Sequence, residues 1–121
     1  MAGSNESEEM YLKTILILSG KLESVRLVDV AASLGYAKSS VSNALKELCK
    51  KDLIIYGNDK RIVLTDAGKA EAEKVNERYE DIMSFLMQIG ADKNVAEIDA
   101  CRLEHIVSDE LYEVIKRNLK K

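Results

Sequence analysis

The 121-residue chain contains no proline and no tryptophan, and only 5% of its residues are aromatic. The absence of proline removes the strongest breaker of helices, because proline lacks a backbone donor and clashes with the preceding turn. With so few rings, the core must be built from aliphatic side chains. The hydrophobic content of 46% excludes a disordered chain. Stretches rich in Ala, Leu, Glu and Lys therefore predict a mostly helical protein.

Long apolar runs are also missing. The best run, residues 15–18, is far shorter than the roughly 20 apolar residues that span a bilayer. The first ten residues, MAGSNESEEM, lack the basic start and the apolar segment of a signal peptide. We therefore expect a cytoplasmic protein that does not enter a membrane.

Cysteine is scarce, with only Cys49 and Cys101 in the chain. Two cysteines do not form a disulfide framework, and the cytosol keeps thiols reduced. Each cysteine is therefore either a small buried hydrophobic residue or a metal ligand, and its neighbours decide which.

Charge is unevenly distributed along the chain. The formal net charge is −3, which by itself argues weakly against nucleic acid. Residues 36–62, however, carry six basic and three acidic side chains, whereas residues 69–113 carry five basic and twelve acidic ones. The basic middle suits phosphate. On charge alone, however, ordinary solvated helix faces are the favoured explanation of this distribution.

Hydrophobic spacing predicts three helices before a hairpin and three after it. Ser7 is expected to cap the first helix, Gly35 to end the second, and Ser108 to cap the last. In the long fourth helix the apolar stripe keeps a near-heptad spacing as far as Ile89, so part of it should pack on another helix. The predicted helices cover residues 7–19, 27–34, 39–51, 65–89, 94–107 and 109–119, with strands at 53–56 and 61–64.

The order of helices, tight turn and hairpin is that of a winged helix-turn-helix. A helix that enters the major groove needs a buried stripe and a small, polar outer face. Cations near that helix and at the hairpin tip suit DNA phosphates. Together these features favour DNA binding over a purely structural or protein-binding role. The candidate DNA-binding residues are Arg26, Lys38, Ser39, Ser40, Ser42, Asn43, Lys46, Lys60 and Arg61.

Cys101, Glu104 and His105, which we call the Cys-Glu-His trio, stand at positions i, i+3 and i+4 and so share one helix face. Sulfur, oxygen and imidazole nitrogen together suit a borderline ion such as Fe²⁺, Co²⁺, Ni²⁺ or Zn²⁺. The alternative is that Glu104 and His105 are an ordinary pair on the helix surface and that Cys101 is simply covered by a neighbouring side chain. We expect the trio to lie away from the apolar side of its helix, formed by Val95, Ile98, Leu103 and Ile106.

Four segments carry a resemblance to a known family. Residues 7–15 (SEEMYLKTI) resemble the first helix of the diphtheria-toxin-repressor family of iron- and manganese-dependent regulators, and residues 100–110 (ACRLEHIVSDE) resemble its metal-binding helix. Residues 35–45 (GYAKSSVSNAL) are similar to its recognition helix, and residues 64–69 (LTDAGK) to its wing exit. The resemblance covers the chain from Ser7 onward.

The resemblance implies a metal site of Met10 with the Cys-Glu-His trio. Iron-type members carry Met and Cys, where manganese-type members carry carboxylates, so Fe²⁺ is the implied ion, with Mn²⁺, Co²⁺, Ni²⁺ or Zn²⁺ also possible. The implied protein is a homodimeric repressor that binds operator DNA when loaded with metal. Its expected fold is mainly α, with a winged helix-turn-helix in residues 1–68 and an all-helical metal-binding and dimerisation domain in residues 69–121.

Two departures from the family pattern stand out. The family's second, ancillary metal site uses a histidine where this chain has Tyr79, and a carboxylate where it has Met83. Glu97 could still bind an ion there, but we do not expect the ancillary site in the form that the family builds. The SH3-like domain of longer members is not expected here.

Two rival functions remain open at this point. A winged-helix regulator that works without metal would retain its DNA affinity when Cys101 or His105 is replaced. A metalloenzyme with Glu104 as general base is disfavoured, because the chain has one histidine and no second base or paired nucleophile at suitable spacing. We therefore expect no enzymatic activity.

Overall fold

The computed structural model describes the backbone of residues 2–120 and the side chains of residues 7–120. The described chain forms two compact units, one of Ser7–Glu73 and one of the residues from Lys74 onward with residues 2–6. The elements in chain order are α1 (Ala2–Ser19), β1 (Val25–Arg26), α2 (Leu27–Leu34), α3 (Lys38–Lys50), β2 (Ile54–Tyr56), β3 (Arg61–Leu64), α4 (Asp66–Gln88), α5 (Lys93–Ile106) and α6 (Asp109–Arg117).

The first unit is built around one aliphatic core. Ile15 of α1, Val30 of α2 and Leu45 of α3 are completely buried in it, together with Ile54 and Ile62 of the strands. The spacing of these residues explains the helices, because each helix places one apolar stripe inward and leaves its other face polar. The core thus holds α3 by one side only and leaves the opposite side to solvent.

Tight chain reversals join the helices of this unit. Gly35 ends α2 in the left-handed conformation (φ 71°), and its N–H donates to the carbonyl of Ala31 at 2.8 Å. Glycine adopts this conformation without the steric penalty that a Cβ brings. The next residue, Tyr36, packs edge-to-face on Tyr11 of α1, with ring centroids 6.1 Å apart. The turn between α2 and α3 is therefore fixed against α1.

A small antiparallel sheet in the order β1-β3-β2 completes the first unit. Ile55 pairs with Val63 across the hairpin, and Arg26 pairs with Arg61 on the other side of β3. The hairpin β2–β3 with its turn at residues 57–60 is called the wing below. The hairpin confirms the prediction, whereas β1 was not predicted, because a two-residue strand carries no alternating pattern.

The second unit contains the rest of α4 with α5 and α6. Ile82, Ala100 and Ile115 form its buried centre. Polar contacts join α6 to α4: the Tyr112 hydroxyl donates to Asp81 at 2.6 Å, and Arg78 pairs with Asp109 at 2.7 Å. Ser108 caps α6 as predicted, since its hydroxyl accepts from the N–H of Leu111 at 3.1 Å.

The predicted fold class, mainly α with a winged helix-turn-helix followed by a helical region, is confirmed. The predicted cap at Ser7 is wrong, because α1 begins at Ala2 and Ser7 lies inside the helix. Extending an existing helix by a turn costs far less than nucleating one, so polar residues before an apolar stripe can join it. Ile89 is also not part of the packed stripe, since it follows α4 and is exposed.

Candidate metal centre and DNA-reading surface

The outer face of α3 gathers most of the predicted DNA-binding residues. Val41, Leu45 and Leu48 lie inward at spacings of four and three residues and are buried. The side chains predicted to contact DNA point the other way. Lys38, Ser39, Ser40, Asn43 and Lys46 are exposed, and Ser42 is half-buried at the edge of the face.

The wing brings together the remaining predicted DNA-binding residues. Lys60 adopts the left-handed conformation (φ 68°) at the tip, and its Nζ lies 5.8 Å from the centre of the Tyr56 ring. Arg26 reaches the same tip from β1, where its Nη1 donates to the main-chain carbonyl of Asp59 at 3.0 Å. Arg61 is next to them at the start of β3. Three exposed cations thus meet at one end of the sheet.

The Cys-Glu-His trio lies on α5, as predicted, but on the buried side of the helix. Glu104 is 1% exposed and the His105 side chain is 5% exposed, while Cys101 is half-buried. The Nε2 atom of His105 lies 3.3 Å from Oε1 of Glu104. Burying a carboxylate is costly unless it meets a partner, so this pair is not an ordinary surface pair.

The trio lies away from the apolar side of α5, as expected, but most of that apolar side faces solvent. Ile98 and Ile106 are 58% and 61% exposed, and Val95 is also exposed. The buried positions are instead Ala96, Ala100 and Glu104. Alanine allows two helices to approach closely, which the larger branched side chains do not. Sequence spacing identified the two faces correctly, but packing decided which one is covered.

Tyr79 of α4 lies within electrostatic reach of the trio. Burial raises the pKa of the Tyr79 phenol above its ordinary value of 10, and negative charge on Glu97, Cys101 and Glu104 raises it further. Three ionisable groups of α5 therefore lie near Tyr79 of α4. A thiol, a carboxylate and an imidazole nitrogen in this region fit a divalent transition ion, which needs soft or borderline donors and offsets their negative charge.

The donors are not yet arranged as a closed cage. Within residues 7–120, no three Cys, His, Asp or Glu side chains stand together as a ready ligand set. The structure joins Glu104 with His105, while Cys101 precedes them by one turn of α5. Met10, the fourth predicted ligand, is half-buried in α1. The ligand set therefore remains a prediction at this point.

The positions of the family's ancillary site are apolar in character here. Tyr79 and Met83 pack against the cluster of Ile82, Ala100 and Ile115. Glu97 is half-buried, and its charge contributes to the raised pKa of Tyr79. A phenol and a thioether in an apolar cluster are poor replacements for an imidazole and a carboxylate as ligands of a divalent ion.

Two functional features escaped the sequence analysis. One is Asp59 at the wing tip, whose carboxylate contacts Arg61; an acidic residue inside a basic turn was the available signal. The other is a set of exposed apolar side chains in the second unit. Its exposed members are Met87, Ile89, Val95, Ile98, Ile106, Leu111 and Val114.

The fold, with the exposed polar and basic face of α3, is that of a winged helix-turn-helix DNA-binding protein followed by a helical region. No helix in the described part of the chain is long and apolar enough to cross a membrane.

Comparison with known families agrees with this class. Residues 5–62 match the N-terminal DNA-binding domain of the iron-dependent repressors, and residues 65–121 match their metal-binding and dimerisation domain. An HTH-type transcriptional regulator of Methanocaldococcus jannaschii (MJ0568) is 32% identical over 119 residues, covering 97% of this chain and 95% of its own. The transcriptional regulator MntR of Escherichia coli is 31% identical over 106 residues, covering 88% of this chain and 68% of its own.

Solved structures show the same architecture. A manganese-dependent transcriptional repressor in complex with manganese superposes with a TM-score of 0.83 at 27% identity, over 91% of this chain and 51% of that one. The manganese regulator SloR gives a TM-score of 0.79 at 28% identity, over 91% of this chain and 52% of that one. The chain therefore spans about half the length of these solved structures.

The chain belongs to the iron-dependent-repressor family, the diphtheria-toxin-repressor family of metal-dependent transcriptional regulators. The resemblance found in the sequence is confirmed. Members of this family bind operator DNA, dimerise through the C-terminal region and are regulators rather than enzymes.

Proposed function

We propose that this protein is a cytoplasmic, homodimeric, iron-type repressor that binds operator DNA when loaded with Fe²⁺. The observation that carries the proposal is the burial of Glu104 beside His105, with Cys101 one turn away on the same helix. A buried carboxylate and imidazole with a nearby thiol suit a metal site better than a plain helix surface. The proposed ligands are these three residues and Met10.

The donor chemistry favours Fe²⁺ over Mn²⁺. Solved relatives include manganese regulators, and another was solved with bound Zn²⁺. This chain offers a thioether at Met10 and a thiol at Cys101, whereas Mn²⁺ prefers carboxylate, carbonyl and water oxygens. A bound divalent ion supplies positive charge that offsets the thiolate and the buried carboxylate. Nε2 of His105 and Oε1 of Glu104 lie 3.3 Å apart, which keeps two of the proposed donors close together.

Dimerisation through the second unit explains its exposed apolar surface. A dimer interface removes apolar side chains from water, which is favourable in proportion to the apolar area buried. Ile98 and Ile106 of α5 and Leu111 of α6 are at least half exposed. A two-fold dimer places two recognition helices on one side, at a spacing that must match about one helical turn of DNA, roughly 34 Å, or a multiple of it.

In this proposal α3 reads the major groove and the wing contacts the backbone. The hydroxyls and amide on the exposed face of α3 can donate to base edges or phosphates, and Asn43 has the amide geometry that suits adenine. Lys38 and Lys46 at that face and the three cations at the wing supply phosphate contacts. Metal binding and DNA binding then strengthen each other by the same factor, because the coupling between two sites is reciprocal.

The test is a fluorescence-anisotropy titration under anaerobic conditions. The duplex is first selected from a random-sequence pool by the metal-loaded protein, and its affinity is then measured with Fe²⁺, with Mn²⁺ and with a chelator. Couplings of this kind change affinity by about 5- to 150-fold. We expect an increase of that size with Fe²⁺ and a smaller one with Mn²⁺.

A matched pair of variants distinguishes a change in ion preference from a general loss of DNA binding. Cys101→Asp replaces the thiol with a carboxylate and should shift the response toward Mn²⁺. Cys49→Ala removes the chain's other thiol, which lies in α3 outside the proposed metal site, and should leave the ion preference unchanged. Equal activation of the wild type by both ions would refute the iron-type assignment.

The second candidate is a winged-helix regulator that needs no metal. The lack of a closed ligand cage among the described side chains favours it. It predicts the same DNA affinity in chelator as in Fe²⁺, and no effect of Cys101→Ala or His105→Ala. Such a result would leave DNA binding intact while removing the metal switch.

A further inference from the structure

The wing tip contains one carboxylate among its cations. Oδ2 of Asp59 lies 3.3 Å from Nε of Arg61, and its Oδ1 accepts the backbone N–H of Arg61 at 3.1 Å. Both side chains are more than half exposed, so this pair is available to a ligand that approaches from solvent. The Arg61 guanidinium is thus engaged by an internal anion at the place where the wing is expected to meet a phosphate.

The backbone of the turn holds Asp59 in this position. Arg26 donates to its main-chain carbonyl at 3.0 Å, and Arg26 is itself paired with Arg61 across β1 and β3. The turn is closed by the N–H of Lys60, which donates to the carbonyl of Gly57 at 3.0 Å. At Gly57 an added Cβ would lie only 3.2 Å from Oδ1 of Asp59, so the carboxylate packs closely over the turn.

We propose that Asp59 is an internal counter-ion of the wing, which a DNA phosphate must displace from Arg61 when the protein binds. A phosphate offers the same oxygen acceptors as the carboxylate and the same bidentate geometry toward a guanidinium. Asp59 thereby lowers the affinity of the wing for DNA backbone of any sequence. Arg26 acts as a positioning residue, because its hydrogen bond fixes the turn that carries the carboxylate.

The proposal rests on DNA binding by the first unit, and it is tested by comparing two neutralised aspartates. Asp59→Asn keeps the size of the side chain and removes its charge. Asp52→Asn is the control, because it removes the same charge from an exposed residue for which the structure shows no side-chain contact with Arg61. Asp52 has a left-handed backbone conformation (φ 60°), which asparagine tolerates. Both proteins are titrated with a mixed-sequence duplex in Co²⁺, at salt concentrations from about 50 to 200 mM.

We expect Asp59→Asn to bind the duplex about twofold to fivefold more tightly than Asp52→Asn, the range that exposed ion pairs give. The advantage should disappear when Arg61→Gln is added to both variants, because the guanidinium is then absent. Equal affinities of the two single variants would overturn the proposal, as would weaker binding by Asp59→Asn or an advantage that survives in the Arg61→Gln background. If the wild type binds no duplex at any salt concentration, DNA binding itself fails, which is a distinct outcome.

Discussion

Gly68 lies against the backbone of Leu53 with no room for a side chain, and its replacement by alanine is a sharp test of the fold. A Cβ built on Gly68 would lie 1.8 Å from the carbonyl oxygen of Leu53, whereas ordinary contact begins at 3.4 Å. The two segments would therefore have to separate by about 1.6 Å. The same carbonyl accepts the N–H of Thr65 at 3.1 Å, so the separation also strains the bond that joins β2 to the start of α4.

The expected cost follows from these contacts. Overpacking costs about 1–3 kcal/mol, and loss of the Thr65–Leu53 hydrogen bond adds about 1 kcal/mol. Alanine recovers about 1 kcal/mol over glycine inside a helix. The net loss for Gly68→Ala is about 1–3 kcal/mol, which for a chain of this size lowers the melting temperature by roughly 4–12 °C.

The assay is thermal unfolding followed by far-UV circular dichroism, with Gly20→Ala as the matched control. At Gly20 the nearest atom to an added Cβ is the Ile17 carbonyl oxygen at 3.5 Å, an ordinary contact, so we expect a change within about 0.5 kcal/mol. If Gly68→Ala melts together with the control, the close approach of α4 to Leu53 does not exist in solution, and the placement of the wing exit is wrong.

Three further predictions concern DNA, the dimer and pH. Lys46→Ala should weaken binding to all duplexes and reduce the slope of log affinity against log salt by about one unit. Asn43→Ala should instead relax selectivity at one base position, at a cost of about 1–3 kcal/mol in binding free energy. Equal, salt-dependent losses of affinity in both variants would contradict the base-reading role of Asn43. Ile98→Glu should convert a dimer to a monomer in sedimentation velocity, and an unchanged dimer would show that α5 does not form the interface. Burial and the hydrogen bond to Asp81 raise the pKa of Tyr112 above its ordinary value of 10. The unfolded chain therefore loses the Tyr112 proton at a lower pH than the folded chain does. The stability that the protonated phenol provides is complete below pH 10 and is lost as pH rises above 10. Tyr112→Phe should be less stable than the wild type by about 1 kcal/mol at neutral pH. In urea titrations above pH 10 it should lose less stability than the wild type does. Equal losses of stability in the two proteins above pH 10 would contradict the role of the Tyr112 phenol.

Much of the architecture could be predicted because it depends on local signals. The apolar stripe of α3, the left-handed Gly35 and the cap at Ser108 each act within one or two turns of chain, and the structure agrees with all three. The spacing of Cys101, Glu104 and His105 likewise placed them on one side of α5. These features follow from helix geometry, which repeats every 3.6 residues whatever the rest of the protein does.

The choice between two opposite faces of one helix was decided only by tertiary packing. Periodicity shows that Ile98 and Ile106 share a face, and that Ala100 and Glu104 share another, but it does not show which face meets α4. The face of α5 that carries Ala96 and Ala100 permits a closer approach of the neighbouring helix than the face with the isoleucines does. Glu104 lies on this alanine face and is therefore buried. Local sequence determines which residues share a helix face, and long-range packing determines whether that face is buried or exposed.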